Sequence, residues 1–427
     1  MQGSAYSEAV ALLGSALELV KALPDDRVRD RIEISLCLNL YQAVKVVRVP
    51  GFASAEILNR ARELCEKIKD DAELFKVLEH LADLHGNRLD ASATTAVRDD
   101  LLRVAGRIEN PSLLARVHYG LGRTFMLEGH FKNAEEHFTR ALDPGGGQAS
   151  EDRSALELKS ACYGLSSWNL WLLGYPAMAL SRACESVAIS TAMGSPLTSA
   201  QSLAGSSALH LLMRSPDAAL QGAEAALEIC NERGLSRVLV LSTFYRCWAL
   251  IQRGDAQQGI MLLLGGSRPM PGIAAQIHER AAKGDGAWGG STLTRFFNCV
   301  AEGCLGARYI EPGLEVADES LAVVQASGVA MYEAEMCRLK GELLLAQDTP
   351  MTRQAEECLR RAIETSRQQS GKSWELRATM SLARLLAKQG RHDEARAMLA
   401  GIYGWFTEGF DTADLKDAKA LLEELAG

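Results

Sequence analysis

The sequence predicts an all-α protein, a right-handed superhelix of stacked helix hairpins, and three observations predict it. Apolar residues recur at i, i+3, i+4 and i+7 through nearly every segment, the spacing of one buried helical face. No stretch of useful length alternates with a period of two, so strands are not expected. Short clusters of Gly, Pro, Asp or Asn return about every fifteen to twenty residues, the punctuation of repeated helical hairpins.

Taken in order, residues 4–22 read as half a repeat: Tyr6, Ala9, Leu13, Ala16 and Leu17 fit the second helix of a pair whose first helix is absent. Helix pairs follow over about 28–263, and the clearest runs from His118 to Leu142. There Gly122 and Ala134 are small where two helices touch, Phe125, Phe131 and Phe138 fill the space beside them, and Gly129 lets the chain turn. This grammar resembles the tetratricopeptide repeat (TPR). It returns at Gly174-Tyr-Pro176 with Ala179 and Ala183, at Arg214 to Asp217 with Ala219 and Ala223, and at Gly254 with Gly259 and Leu263.

Between Gly265 and Gly290 lies a Gly/Pro-rich insertion, expected to be a mobile loop with one short helix at Ile273 to Lys283. Pairs resume over 291–403, with Leu339-Lys-Gly341, Ala355, Leu359 and Ala362 in one and Gly390-Arg-His392, Ala395, Leu399 and Ile402 in another. Residues 411–425 read as one amphipathic capping helix, N-capped by Asp411 or Thr412, with Leu415, Ala418, Leu421 and Leu422 on its apolar face. The whole chain, 1–427, is thus expected to be a single TPR-like α-solenoid of about nine pairs.

A more specific likeness rests on Gly51-Phe-Ala with Arg60 to Cys65, Leu170 to Pro176, Glu333 to Glu335 with Arg338 to Leu345, and Tyr403 to Thr412. Together these resemble the TPR-containing C-terminal helical region of bacterial adenylate/guanylate cyclase or AAA/STAND-type ATPase signalling proteins. The resemblance implies a cytoplasmic regulatory scaffold in bacterial signal transduction, acting with a cyclase or ATPase domain in cis or in trans. The half repeat at the start leaves open that the chain is the regulatory end of something longer.

Composition narrows the functions. Forty-six Lys and Arg against fifty-four Asp and Glu give a net charge of −8. A dedicated nucleic-acid binder, which wants a basic face, is therefore not expected. No window approaches a membrane span, and the first residues lack the basic and apolar regions of a secretory signal. Ten cysteines without a Cys-x-x-Cys spacing read as small hydrophobes in a reducing cytosol.

Catalytic patterns are missing. The near miss to a phosphate-binding loop, Ser366 to Ser373, lacks the first glycine and follows a helix, where the chemistry needs a strand-to-helix turn. No histidine pair has helical zinc spacing, and His130 and His137 read as surface residues. No Gly-x-Ser-x-Gly occurs. Neither enzyme activity, metal nor cofactor is expected.

The first helix of each pair should line the concave face of such a superhelix. The register places Arg116, Tyr119 and Arg123 there in one repeat, Trp168 and Trp171 in the next, then Phe244 and Trp248. Arg295, Asn298 and Glu302 follow the insertion, then Arg338 and Glu342, then Arg377 and Arg384. An aromatic middle with polar, basic flanks suits an extended protein or peptide partner whose carboxylates the arginines read bidentately. The competing readings are packed core for the tryptophans, solvated faces for the arginines, and a small-molecule sensor whose ligand the superhelix and the 265–290 loop enclose.

Overall fold

The computed structural model describes residues 2–47, 54–87, 91–107, 110–143, 152–266, 269–275, 277–278 and 290–426. Among them are twenty helices of full extent, further helical backbone at 273–275 and 277–278, and no strand. The first seven are α1 (Gln2–Val20), α2 (Arg27–Val47), α3 (Ser54–Ile68), α4 (Asp71–Asn87), α5 (Ala91–Ala105), α6 (Pro111–Leu127) and α7 (Phe131–Leu142). Next come α8 (Arg153–Leu173), α9 (Pro176–Ala192), α10 (Pro196–Leu212), α11 (Pro216–Arg233), α12 (Ser236–Gln252) and α13 (Ala256–Leu263). The last are α14 (Gly290–Gly306), α15 (Ile310–Ser327), α16 (Glu333–Leu345), α17 (Thr352–Gln368), α18 (Lys372–Lys388), α19 (His392–Tyr403) and α20 (Ala413–Glu424). Each helix packs on the next in sequence, so the fold is the expected TPR-like α-solenoid.

Hairpin geometry follows from the turns. The residue after the first helix takes a left-handed backbone: Gly129 (φ +83), Gly174 (φ +95), Gly254 (φ +99) and Gly390 (φ +80). The next N–H then bonds back across the helix end, as His130 does to the Phe125 carbonyl at 2.8 Å and Tyr175 to that of Leu170 at 2.8 Å. Two sister turns put arginine in the same conformation, Arg214 (φ +57) and Arg308 (φ +59), which costs a side-chain-bearing residue what glycine avoids. Within a pair, close approach is set by small residues: a Cβ on Gly122 would stand 2.7 Å from the Phe138 ring.

Two apolar clusters form the core. One spans Ile34 to Leu121, the other Met126 to Leu425, and Phe125 of α6 touches both. The N-terminal helices therefore form a smaller body joined to the larger one along α6 and α7, with α4 also meeting α14 and α5 meeting α15.

The larger body closes on itself, which the repeat pattern does not announce. The Leu127 carbonyl accepts from the N–H groups of Ala330 and Met331 at 2.8 and 3.0 Å. Ser373 Oγ donates to the Trp171 carbonyl, and α8 packs against α18. Gly174 lies beneath Trp405 and Phe406, and Gly409 against Pro176. The helix expected to cap the end of the stack, α20, does pack on α18 and α19, but it also reaches the middle of the chain: Arg214 Nη1 lies 3.2 Å from Asp414 and 2.6 Å from Asp417.

The described part of the insertion is anchored. Ile273 and Ile277 are buried, Glu315 of α15 accepts from the N–H groups of Gly272 and Ala274, and His278 pairs with Glu319 at 2.7 Å. The rest of the segment expected to be a mobile loop, residues 267, 268, 276 and 279–289, lies outside the described residues.

Candidate functional site

The closure sorts the expected concave-face residues into two groups. The aromatic middle is interior. Trp168 is 6% and Trp171 2% exposed, and Trp168 Nε1 donates to the Gly205 carbonyl at 2.9 Å. Trp171 meets Trp374 edge to face, with centroids 4.8 Å apart. Phe244 and Trp248 are likewise buried, Phe244 stacking on Phe296. An open aromatic platform, as the register suggested, is therefore corrected to packed core: α18 folds back over α8, while Arg295 of α14 covers Trp168 and Phe296 of α14 covers Phe244.

Arginines accompany this core. The Arg295 guanidinium lies 4.7 Å above the Trp168 ring and donates to the Tyr245 hydroxyl. Arg377 lies 5.0 Å from the Trp171 ring and 5.1 Å from that of Trp374. Asn298 is buried, and its Oδ1 has no partner among the described residues. Arg116, Tyr119 and Arg123 lie apart from these on α6. Arg116 is exposed and edges a groove of about 640 Å³ between α2, α4 and α6, shared with Arg31, Gln42, Glu79 and His80. Tyr119 and Arg123 are half-buried.

The basic end opens into a cleft of about 520 Å³. Helices α12, α14, α16 and α18, the first members of their pairs, contribute Gln252, Glu302, Glu335, Arg338, Arg377, Ser381 and Arg384; the α10–α11 turn adds Arg214, and α20 adds Asp414 and Asp417. Of the expected residues, Glu302, Arg338, Arg377 and Arg384 meet here, whereas Glu342 stands behind, 4.0 Å from Arg338.

Most of these charges are matched. Arg338 donates twice to Glu335, at 2.8 and 2.7 Å. Arg377 Nε donates to Asp414 at 2.9 Å, and its Nη2 to the Leu212 carbonyl. Glu302 accepts from Trp248 Nε1 at 2.6 Å, yet the protein packed around it pushes its carboxyl above the usual carboxylate range. Arg384 is exposed, and its side chain makes no ion pair or hydrogen bond among the described residues.

Sequence reasoning missed Arg214, Glu335, Asp414 and Asp417. A signal existed for the first, an arginine at a turn position where sister repeats carry glycine. His137 is a second correction: it is buried, and its Nδ1 lies 2.8 Å from Nδ1 of buried His118, with Phe125 stacked on its ring. Burial, His118 and Arg140 hold His137 down at about 4, and burial also lowers His118. His130 is exposed, as expected.

The other chemistry follows the same local logic. Ser366 to Ser373 runs from the last turn of α17 through the connection at 369–371 into the start of α18, and Lys372 bonds Glu375 rather than facing a phosphate cradle. Among the described residues no group of three or more His, Cys, Asp or Glu could hold a metal ion, and no helix is long and apolar enough to cross a membrane. All ten cysteines are free thiols.

No protein-family model and no curated protein matches the chain. Solved structures do resemble it. A Rap protein complexed with competence and sporulation factor aligns over 93% of this chain and 99% of its own, at 11% identity and a TM-score of 0.56. This likeness is one of fold. A STAND protein with a tetratricopeptide repeat sensor from Pyrococcus horikoshii aligns over 92% of this chain and 54% of its own, at 13% identity and a TM-score of 0.43. Yeast Tom70 aligns over 100% and 93%, at 14% identity and a TM-score of 0.41.

Proposed function

We propose that the chain is a non-catalytic TPR-like interaction and regulatory module that binds a protein or peptide partner in the inner cleft. The observation that carries this reading is Arg384, an exposed, unmatched guanidinium at the edge of a walled cleft whose other arginines are already oriented by carboxylates. Such a site presents bidentate donors at fixed positions and has the size of a small-ligand or peptide-segment pocket. The partner's setting is read from the sequence resemblance: a cyclase or ATPase domain in cis or in trans, in the bacterial cytoplasm, which the ten free thiols suit. Regulation would follow from a partner that prefers one curvature of the solenoid over another.

The test is a pull-down from bacterial lysate with the wild-type chain and with Arg384→Glu. A partner retained by the first and lost by the second supports the reading; a set of partners unchanged by the substitution removes the cleft as the binding surface. The small-molecule alternative drew on the 265–290 loop as a lid. The described part of that segment sits on α15, and none of it is in the cleft lining.

A further inference from the structure

We propose that the ligand of the inner cleft is an acidic peptide segment, and that α20 occupies the cleft as a built-in competitor which the peptide displaces. The proposal rests on the cleft-binding reading above and adds the chemistry of the ligand and its control.

Arg214 and Arg377 converge from different walls on one carboxylate, Asp414, which is itself buried. Neither wall helix supplies that carboxylate. It is carried by α20, and one turn further along the same helix Asp417 takes the remaining contact of Arg214 at 2.6 Å. An acid provided in cis thus sits where arginines in a cleft would hold an acid provided in trans.

The charge balance shows what α20 masks. With Asp414 and Asp417 in place, four arginines face four acids. Without them, Arg214, Arg338, Arg377 and Arg384 face Glu302 and Glu335, and burial biases Glu302 toward its neutral form. The uncovered cleft is therefore cationic, and its complement is an anion.

Geometry gives the order of events. Arg384 lies on the face of α18 that carries Arg377, two turns on and about 10 Å away, with buried Ser381 between them. An incoming carboxylate meets exposed Arg384 first and then exchanges with Asp414 on Arg377. The exchange replaces one carboxylate by another, so it needs no proton and makes no covalent bond. Affinity is reduced by the fraction of molecules in which α20 still covers the arginines.

The experiment titrates the full chain with a fluorescein-labelled tetraglutamate peptide, read by anisotropy, with tetraglutamine as the control. Asp414→Asn combined with Asp417→Asn is expected to bind about tenfold more tightly than wild type, and Arg384→Glu about tenfold more weakly. Because loss of buried Asp414 could unfold the chain, Asp417→Asn alone serves as the milder variant, expected to tighten binding about threefold. Hydrogen exchange over residues 413–424 of the wild type should rise on saturation with tetraglutamate. Binding that Arg384→Glu weakens but the aspartate variants leave unchanged, or exchange that stays constant, overturns displacement and leaves the cleft reading standing. Absence of tetraglutamate binding in every variant overturns the acidic-ligand assignment, while the lysate pull-down decides the cleft reading separately.

Discussion

Arg214 and Asp417 stand 203 residues apart in the chain and 2.6 Å apart in space, and Arg214 makes the contact from a left-handed turn position with φ +57. Arg308 occupies the corresponding turn two repeats on, with φ +59, but its guanidinium reaches only the Ala346 carbonyl at 3.4 Å. The pair sets up a comparison. Glycine at either site relieves about 1 kcal/mol of backbone cost. Arg308→Gly should therefore raise stability by about that amount in urea unfolding, whereas Arg214→Gly should lower it, since contacts to buried Asp414 and half-buried Asp417 are worth more than the relief. Equal gains at both sites would show that the Arg214 contacts contribute nothing.

The edge-to-face packing of Trp171 on Trp374 joins α8 to α18. Trp374→Ala should cost roughly 3–5 kcal/mol, the range for a large core aromatic, because a fully buried side chain leaves a cavity at the seam. Thermal unfolding measures the loss. Small-angle scattering on the same variant should report a larger radius of gyration, which a cavity elsewhere in the solenoid would not produce.

Glu408 accepts from the N–H groups of Ala177 and Met178 at 2.9 and 3.1 Å, and so caps a helix more than two hundred residues upstream. The local residue before α9, Tyr175, offers no side-chain cap. Glu408→Ala should cost about 1 kcal/mol, as loss of an N-cap does, and Glu408→Gln should recover the acceptor but not the favourable charge at the helix start. A melt in which the alanine variant matches wild type would remove this capping role.

The His118–His137 pair makes stability depend on pH. Both rings are held below their ordinary value by burial, His137 at about 4, so the unfolded chain binds protons first as pH falls. Stability is therefore expected to be constant above about 6.5 and to fall progressively from 6.5 to 4, by roughly 3 kcal/mol for His137. His137→Phe should flatten that window in urea titrations at stepped pH. A slope unchanged by the substitution would assign the dependence to other groups.

Legibility in the sequence tracked the distance between partners. Gly122 against Phe138 could be read from one hairpin, since both residues and the turn between them lie within a single repeat. The inner-helix position of Trp168 and Trp171 was legible for the same reason. Their burial was readable from the apolar run they sit in, but what covers them was not, because it depends on α14 and α18, whose own periodicity is satisfied by their immediate neighbours and carries no mark of a second contact. His137 could have been placed inside: it falls three residues after Ala134 and four before Ala141, on the buried stripe of α7. Of the cleft, the arginines on first helices were visible as a face, but the acid opposing Arg377 comes from α20 and is shared with Arg214 of a turn, across a closure no local pattern encodes.

That closure has a kinetic side. An open solenoid makes contacts between neighbours only, so its contact order is low and repeats can zip together in sequence. Here the contacts of Trp171 with Trp374 and of Arg214 with Asp414 each bridge about two hundred residues, and loops of that length must close before either is gained. The repeats can form early and independently, while the seam waits for the chain to wrap. Water should therefore leave the space around the central tryptophans last, in a slow phase separate from helix formation.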